Sequence, residues 1–159
     1  MTLYAKDIMS KKLITVSAET TLNETMDLMS EKRIRHMPVV DENLTVIGIV
    51  SQRDLSMSFP AIMNATGAPI KHFMTTPVKY MDESTPVRSL IFKMLENKIS
   101  CVIVGNDQEN AVGIITTDDL LWYFAELLKN DSEKHRSFFD ITSLQTIGEV
   151  ANKLSNIGI

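Results

Sequence analysis

One stretch of this chain occurs twice. Gly48-Ile49-Val50-Ser51-Gln52-Arg53-Asp54-Leu55 is echoed by Gly113-Ile114-Ile115-Thr116-Thr117-Asp118-Asp119-Leu120. Both read glycine, two aliphatics, a hydroxyl, two variable residues, aspartate and leucine. The offset, 119 − 54 = 65, holds without a gap far upstream. Lys6 meets Lys71, Met9 meets Met74, Thr20 meets Thr85, Met29 meets Met94, Glu31 meets Glu96, Ile34 meets Ile99 and Val39 meets Val104. A constant offset from residue 6 to residue 120 means two tandem copies of one unit, which constrains the fold more than any local propensity. A unit of about 60 residues buries little surface alone, so the copies are expected to pack on each other.

Each copy reads as strand, helix, strand, strand, helix. In the first, Leu13 to Val16 is a short strand, and a helix follows to about Lys32. Thr21 with Glu24 fits a capping box, whereas the repeat register favours Thr20 as the cap, because Pro86 suits a first helical position and makes Thr85 the cap in the second copy. Leu22, Met26 and Met29 fall on one face, as do Val87, Ile91 and Met94, and are expected to fill the core. Arg35 to Val40 and Leu44 to Val50 are strands joined by a polar turn at Asp41-Glu42-Asn43. A second helix starts near Ser51 and fades near Ser58, and Pro60, Gly67 and Pro69 mark the connection between the halves. The matching strands are Val78 to Met81, Cys101 to Val104 and Ala111 to Ile115. The last helix starts near Thr117 and runs to about Lys129, with Leu120, Phe124, Leu127 and Leu128 predicted to face inward. Beyond it Leu144, Ile147, Val150, Leu154 and Ile157 recur at helical spacing, a stripe to be buried on its own chain or on a second one.

The repeated stretch has a physical use. A glycine lets a ligand approach the backbone. The start of the following helix offers free amide donors and the positive end of its dipole. Ser51 and Thr116 add hydroxyls there, a place that suits phosphate. One turn later Asp54 and Asp119 offer acceptor oxygens that match the vicinal hydroxyls of a ribose. Ribose plus phosphate means nucleotide. The same hydroxyls and carboxylates also suffice to cap two helices.

The two stretches, with Asp7-Ile8-Met9 and His36-Met37-Pro38-Val39-Val40-Asp41, resemble the CBS domain family, specifically the tandem pair called a Bateman module. The resemblance covers roughly residues 4 to 128. It implies an α+β (mixed α/β) fold of two β-α-β-β-α CBS repeats related by a pseudo-two-fold axis. The repeats span residues 4–60 and 69–128, and residues 129–159 form a helical C-terminal extension. In the family the Ser/Thr-x-x-Asp motif contacts the ribose and phosphates of adenosine ligands, and the base sits in an apolar slot of the other repeat. The resemblance therefore implies two clefts. One joins Thr116 and Asp119 to Leu13, Ile14, Ile34, Arg35 and His36. The other joins Ser51, Arg53 and Asp54 to Val78, Lys79, Ile99, Ser100 and Cys101. Arg35 and His36 match positions where some members place phosphate-binding residues, and an arginine can grip phosphate with paired, charge-assisted bonds. The second copy has Ser100 and Cys101 there, and Asp118 where the first has Arg53. The cleft of Asp119, Arg35 and His36 is expected to be the better binder of phosphorylated adenosine, since a direct arginine contact outweighs a screened like charge.

The resemblance implies a regulatory module that senses AMP, ADP or ATP (or S-adenosylmethionine or NAD, with Mg2+ accompanying ATP) and signals to a partner protein. It also implies a homodimer. The alternatives are a dimerisation module with empty clefts and a nucleic-acid-binding member of the family. A net charge of −4 weighs against nucleic acid. No obligatory cofactor is expected. His36, His72 and His135 are far apart and form no metal spacing, and no Walker loop, Gly-x-Gly-x-x-Gly or nucleophile elbow is present, so no enzyme is expected. The single Cys101 cannot form an internal disulfide and reads as a buried, reduced thiol of a cytoplasmic protein. No run of about 18 apolar residues predicts a membrane span, and the N-terminus lacks a signal-peptide pattern.

Overall fold

The computed structural model describes residues 2–57, 67–105 and 110–132. The apolar stripe from Leu144 to Ile157 lies outside them. In order, the elements are α1 (Ala5–Ile8), β1 (Val16–Ser17), α2 (Leu22–Lys32), β2 (His36–Val40), β3 (Val46–Ser51), α3 (Gln52–Met57), a 3-10 turn (Ile70–His72), β4 (Tyr80–Asp82), α4 (Val87–Glu96), β5 (Cys101–Gly105), β6 (Ala111–Thr116) and α5 (Thr117–Ser132). One compact unit ends at Leu121 and a second begins at Trp122. Both sheets and both clefts belong to the first.

The two sheets repeat each other residue for residue. In β1-β2-β3 the first pair is parallel and the second antiparallel, and β4-β5-β6 is built the same way. Val39 faces Gly48 just before a register shift, and Val104 faces Gly113 before the same shift. An identical bulge at an offset of 65 shows that the duplication extends to hydrogen-bond register, which the alternation of side chains makes hard to slip once one face is buried.

The helices follow the repeat too, one residue later than its register suggests. Thr21, not Thr20, caps α2. Its Oγ1 accepts from the Glu24 amide at 3.3 Å, while Glu24 Oε2 accepts from the Thr21 amide at 2.9 Å. Two orphan donors are thereby satisfied at once. Its counterpart Pro86, with ψ of 133°, precedes α4 as the cap, so Thr85 lies outside. The buried face is also shifted. The buried sets are Leu22, Thr25, Met29 and Val87, Leu90, Met94, whereas Met26 and Ile91 are partly exposed. Thr25 could not be recognised as core from polarity. It is buried because its hydroxyl donates to the Thr21 carbonyl at 2.9 Å, which removes the desolvation penalty.

A third difference concerns α5. Leu120 packs on the second core, but Phe124, Leu127 and Leu128 are exposed, as are Leu121 and Trp122.

The two halves exchange their lead-in segments. Residues 3–10 join the second repeat: the Ala5 amide donates to Thr85 O, Val87 N to Leu3 O, and Ser10 and Ile114 exchange both backbone bonds. Residues 68–75 join the first: Leu22 N donates to Ala68 O, Ile70 N to Thr20 O, and Thr75 and Ile49 exchange both bonds. Accordingly Ile70, Phe73 and Met74 pack in the first core, and Ala5, Ile8 and Met9 in the second. A third cluster, Val40, Val46 and Ile103 with Leu13, Ile49, Val78, Tyr80 and Ile114, joins the two sheets.

This exchange explains the repeated glycines, and not as a ligand approach. A Cβ on Gly48 would sit 2.3 Å from Met74 Sδ, and one on Gly113 would sit 2.7 Å from Met9 Sδ. Each glycine makes room for the methionine that the other half contributes. Gly48→Ala should therefore destabilise the fold by about 1–3 kcal/mol through overpacking. Combined with Met74→Ala its cost should shrink, and equilibrium denaturation of the double-mutant cycle reads that coupling. Strict additivity would mean that the methionine is not what the glycine accommodates.

Candidate functional site

Each site begins where an antiparallel hairpin turns into a helix. β3 passes into α3 at Ser51, and the Gln52 amide donates to Arg35 O at 2.9 Å. β6 passes into α5 at Thr116, and Thr117 N donates to Ser100 O at 3.0 Å. The hydroxyl and the aspartate then cap each other. Asp54 Oδ2 accepts from Ser51 N (3.1 Å) and Ser51 Oγ (2.6 Å), while Asp54 N donates back to Ser51 Oγ. Asp119 Oδ2 accepts from Thr116 N and Oγ1, both at 2.7 Å. Helix capping is thus realised in both copies. It uses one carboxylate oxygen and leaves the other.

The remaining oxygens differ. Asp119 Oδ1 accepts from Ser10 Oγ at 3.1 Å. Asp54 Oδ1 has no such bond among the described residues; the counterpart of Ser10 there is Thr75.

Two cavities open over these turns. The larger, about 700 Å3, gathers Ser51, Arg53 and Asp54 with Val78, Lys79, Ile99, Ser100 and Cys101. The smaller, about 190 Å3, gathers Thr116 and Asp119 with Leu13, Ile14, Ile34, Arg35 and His36. Every residue assigned to a cleft from the sequence lines the corresponding cavity, and each cavity is walled by both repeats. Arg35 and His36 line both cavities.

Charge is unevenly divided. The larger cavity has Arg35, Arg53, Lys79 and Lys98 against the one carboxylate of Asp54. The smaller has Lys12, Arg33 and Arg35 against Asp118 and Asp119. Arg35 is ion-paired with Asp118, and both side chains are about half exposed. His36 Nε2 and Ser100 Oγ share a hydrogen bond of 2.8 Å. Burial holds the His36 pKa below its usual value, helped by the charge of Arg35 and opposed by Asp118 and Asp54. The buried Cys101 thiol is pushed up to about 12 by desolvation and by Asp119. It is a neutral wall and not a nucleophile. No cluster of metal ligands occurs among the described residues. No helix among them is long and apolar enough to cross a membrane.

The sequence profile of the CBS domain matches twice, over residues 5–60 and 70–126. The chain belongs to the CBS domain family. Its fold is similar to that of a CBS domain pair in complex with 5′-methylthioadenosine and S-adenosyl-L-methionine: 29% identity, TM-score 0.71, covering 79% of this chain and 98% of that one. A putative acetoin utilization protein from Vibrio cholerae is 32% identical, with TM-score 0.74 over 84% of this chain and 98% of that chain. Among curated proteins, a homoserine O-acetyltransferase of Methanobrevibacter ruminantium is 32% identical over 114 residues, 72% of this chain and 22% of that protein. An L-aspartate semialdehyde sulfurtransferase of Methanocaldococcus jannaschii is 31% identical over 115 residues, 72% of this chain and 22% of that protein. The CBS pair thus matches about a fifth of these relatives.

Several lining residues went unremarked in the sequence. Lys98 and Arg33 occupy equivalent positions at the ends of α4 and α2, with φ of 52° and 53°. Left-handed backbone there normally selects glycine. A cation at this position in both copies, each lining a cavity, is a regularity that the offset of 65 could have shown. Ser10, Lys12 and the Thr75-Thr76-Pro77 segment gave no signal, because they reach the cavities only through the exchanged lead-ins.

The lowered pKa of His36 has a pH consequence. Its folded-state value lies below the value it has in the unfolded chain. The unfolded chain therefore takes up the proton first as pH falls, so this contribution to stability is fully present above the unfolded-chain pKa and is lost as pH drops through the folded pKa. Thermal unfolding of the wild type should weaken on going from neutral to mildly acidic buffer, and His36→Gln should flatten that decline. An identical decline in the variant would assign the acid sensitivity to other groups.

Proposed function

We propose that this CBS pair is a regulatory module that binds a phosphorylated adenosine ligand in the larger cleft, over Ser51 and Asp54, and signals occupancy to a partner protein. The observation that carries the reading is the cavity of about 700 Å3 in which Arg53, Lys79 and Lys98, with Arg35 shared with Asp118, face the carboxylate of Asp54. Ligand pockets generally measure about 300–1,000 Å3, so a whole nucleotide suits this cavity better than one of about 190 Å3, which must widen to take it. The CBS pair with 5′-methylthioadenosine and S-adenosyl-L-methionine supports an adenosine ligand.

Each part has a role in this reading. Val78, Ile99 and the neutral Cys101 wall receive the base. Asp54 Oδ1, with no hydrogen bond among the described residues, accepts from the ribose hydroxyls. Arg53, Lys79 and Lys98 meet the phosphates. The smaller cleft, with Leu13, Ile14, Ile34, Thr116 and Asp119, takes a secondary role, the reverse of the ranking expected from sequence. There Asp119 is already bonded to Ser10 and Asp118 already holds Arg35. AMP, ADP and ATP rank above S-adenosylmethionine, whose sulfonium carries the wrong charge for this wall. The pair acts without catalysis, and a ligand shifts its conformation only by binding one state better than another. Two copies pair in this reading, through apolar side chains such as Phe92 and Leu95 that stand exposed.

A thermal-shift panel of AMP, ADP, ATP, S-adenosylmethionine and NAD tests the ligand. A phosphorylated ligand at a hundred times its Kd should stabilise by about 2.7 kcal/mol. Lys98→Gly should leave the free protein as stable or up to about 1 kcal/mol more stable, because strain is relieved, while shrinking the ligand-induced shift. No shift with any member of the panel would favour a dimerisation module with empty clefts. Sedimentation velocity at low micromolar concentration should show a dimer; an 18 kDa species alone would reject the pairing.

A further inference from the structure

The two clefts share one residue that a phosphate would want. Arg35 lines both cavities. Its backbone carbonyl is held by Gln52 N at the turn of the first repeat. Its guanidinium reaches Asp118 at the turn of the second. The repeat is broken at these two positions: the counterpart of Arg35 is Ser100, and the counterpart of Asp118 is Arg53. One repeat-breaking residue therefore pairs with the other, across the halves. The opposite combination, Ser100 with Arg53, makes no ion pair among the described residues; Ser100 bonds His36 instead.

We propose that Asp118 is an internal competitor for Arg35, and that the clefts bind phosphorylated ligands antagonistically through that one guanidinium. This deepens, and rests on, the reading of the larger cleft as a nucleotide site. A phosphate over Ser51 and Asp54 draws Arg35 away from Asp118. An exposed ion pair of this kind is weak, so it yields to a polyphosphate yet still lowers that ligand's affinity. Once Arg35 has moved, the smaller cleft keeps Lys12 and Arg33 against Asp118 and Asp119. Its cationic excess is gone, and a second phosphorylated ligand is disfavoured. A phosphate held in the smaller cleft likewise keeps Arg35 from the larger one. Coupling is reciprocal by linkage, so each occupied cleft weakens the other equally.

Calorimetry on the full chain with ATP and with adenosine tests this. The wild type should bind one ATP per chain tightly, with a second site at least about tenfold weaker. Asp118→Asn should tighten ATP binding by about three- to fivefold, the most that release of an exposed ion pair supplies, and should do so by more than it changes adenosine binding. Arg35→Ala should weaken ATP binding, and in the Arg35→Ala, Asp118→Asn double variant the gain from Asp118→Asn should vanish. Equal gains from Asp118→Asn with and without Arg35 would overturn the competition, because Asp118 would then act on the phosphate directly. Two independent ATP sites of similar affinity would overturn the antagonism while leaving the nucleotide reading intact. No binding of ATP or adenosine by the wild type would remove both.

Discussion

The fold depends on an exchange: each half receives the lead-in segment of the other, and a methionine occupies the space that a glycine leaves. Met74 lies against Gly48 and Met9 against Gly113. Backbone bonds fix the same segments, with Ser10 paired to Ile114 and Thr75 to Ile49. A half of about 60 residues has little core. Here each core is completed by residues remote in sequence, Ile70 and Phe73 in one and Ala5 and Ile8 in the other. The exchange also carries Ser10 and Lys12 to one cavity and Thr75 to Pro77 to the other, so the same interaction that stabilises the halves walls the sites.

The clefts are chemically unequal although their scaffolds are equal. Strand register, bulge, left-handed helix ends and reciprocal Ser/Thr–Asp caps recur at one offset. Inequality enters through a few side chains: Arg35 against Ser100, His36 against Cys101, Arg53 against Asp118, Ser10 against Thr75. These change charge and hydrogen bonding but not backbone, which is how a duplicated frame acquires one roomy basic cavity and one small cavity closed by its own bonds. The motif aspartates serve the frame first. Each spends one oxygen on a helix start, and only the second is in question for a ligand.

Much of the frame was legible in the sequence, because it is encoded locally and stated twice. The constant offset of 65 revealed the duplication. The hydroxyl-x-x-aspartate spacing marked both helix starts, and the Val- and Ile-rich runs marked the strands. The residues assigned to the two clefts line two cavities as assigned. What was read wrongly also has local reasons. Met26 and Ile91 were expected in the core, but the buried positions are Thr25 and Leu90; polarity does not show that the Thr25 hydroxyl has a carbonyl to bond. Phe124, Leu127 and Leu128 looked buried because helical spacing shows a face but not whether a neighbour reaches it.

Sequence by itself determined the repeat and the order of elements, since both depend on spacing along the chain, and its motifs carried the resemblance that implied the family and two sets of cleft residues. Tertiary structure alone decided why Gly48 and Gly113 must be small, how large each cavity is, that Asp119 is already bonded by Ser10, and that Arg35 is held by Asp118. The physical reason is distance along the chain. Arg35 and Asp118 are 83 residues apart, and Ser10 and Asp119 are 109 apart. No periodicity links residues so far apart; the exchanged lead-in carries Ser10 to Asp119, and the packing of the two sheets on each other brings Arg35 to Asp118.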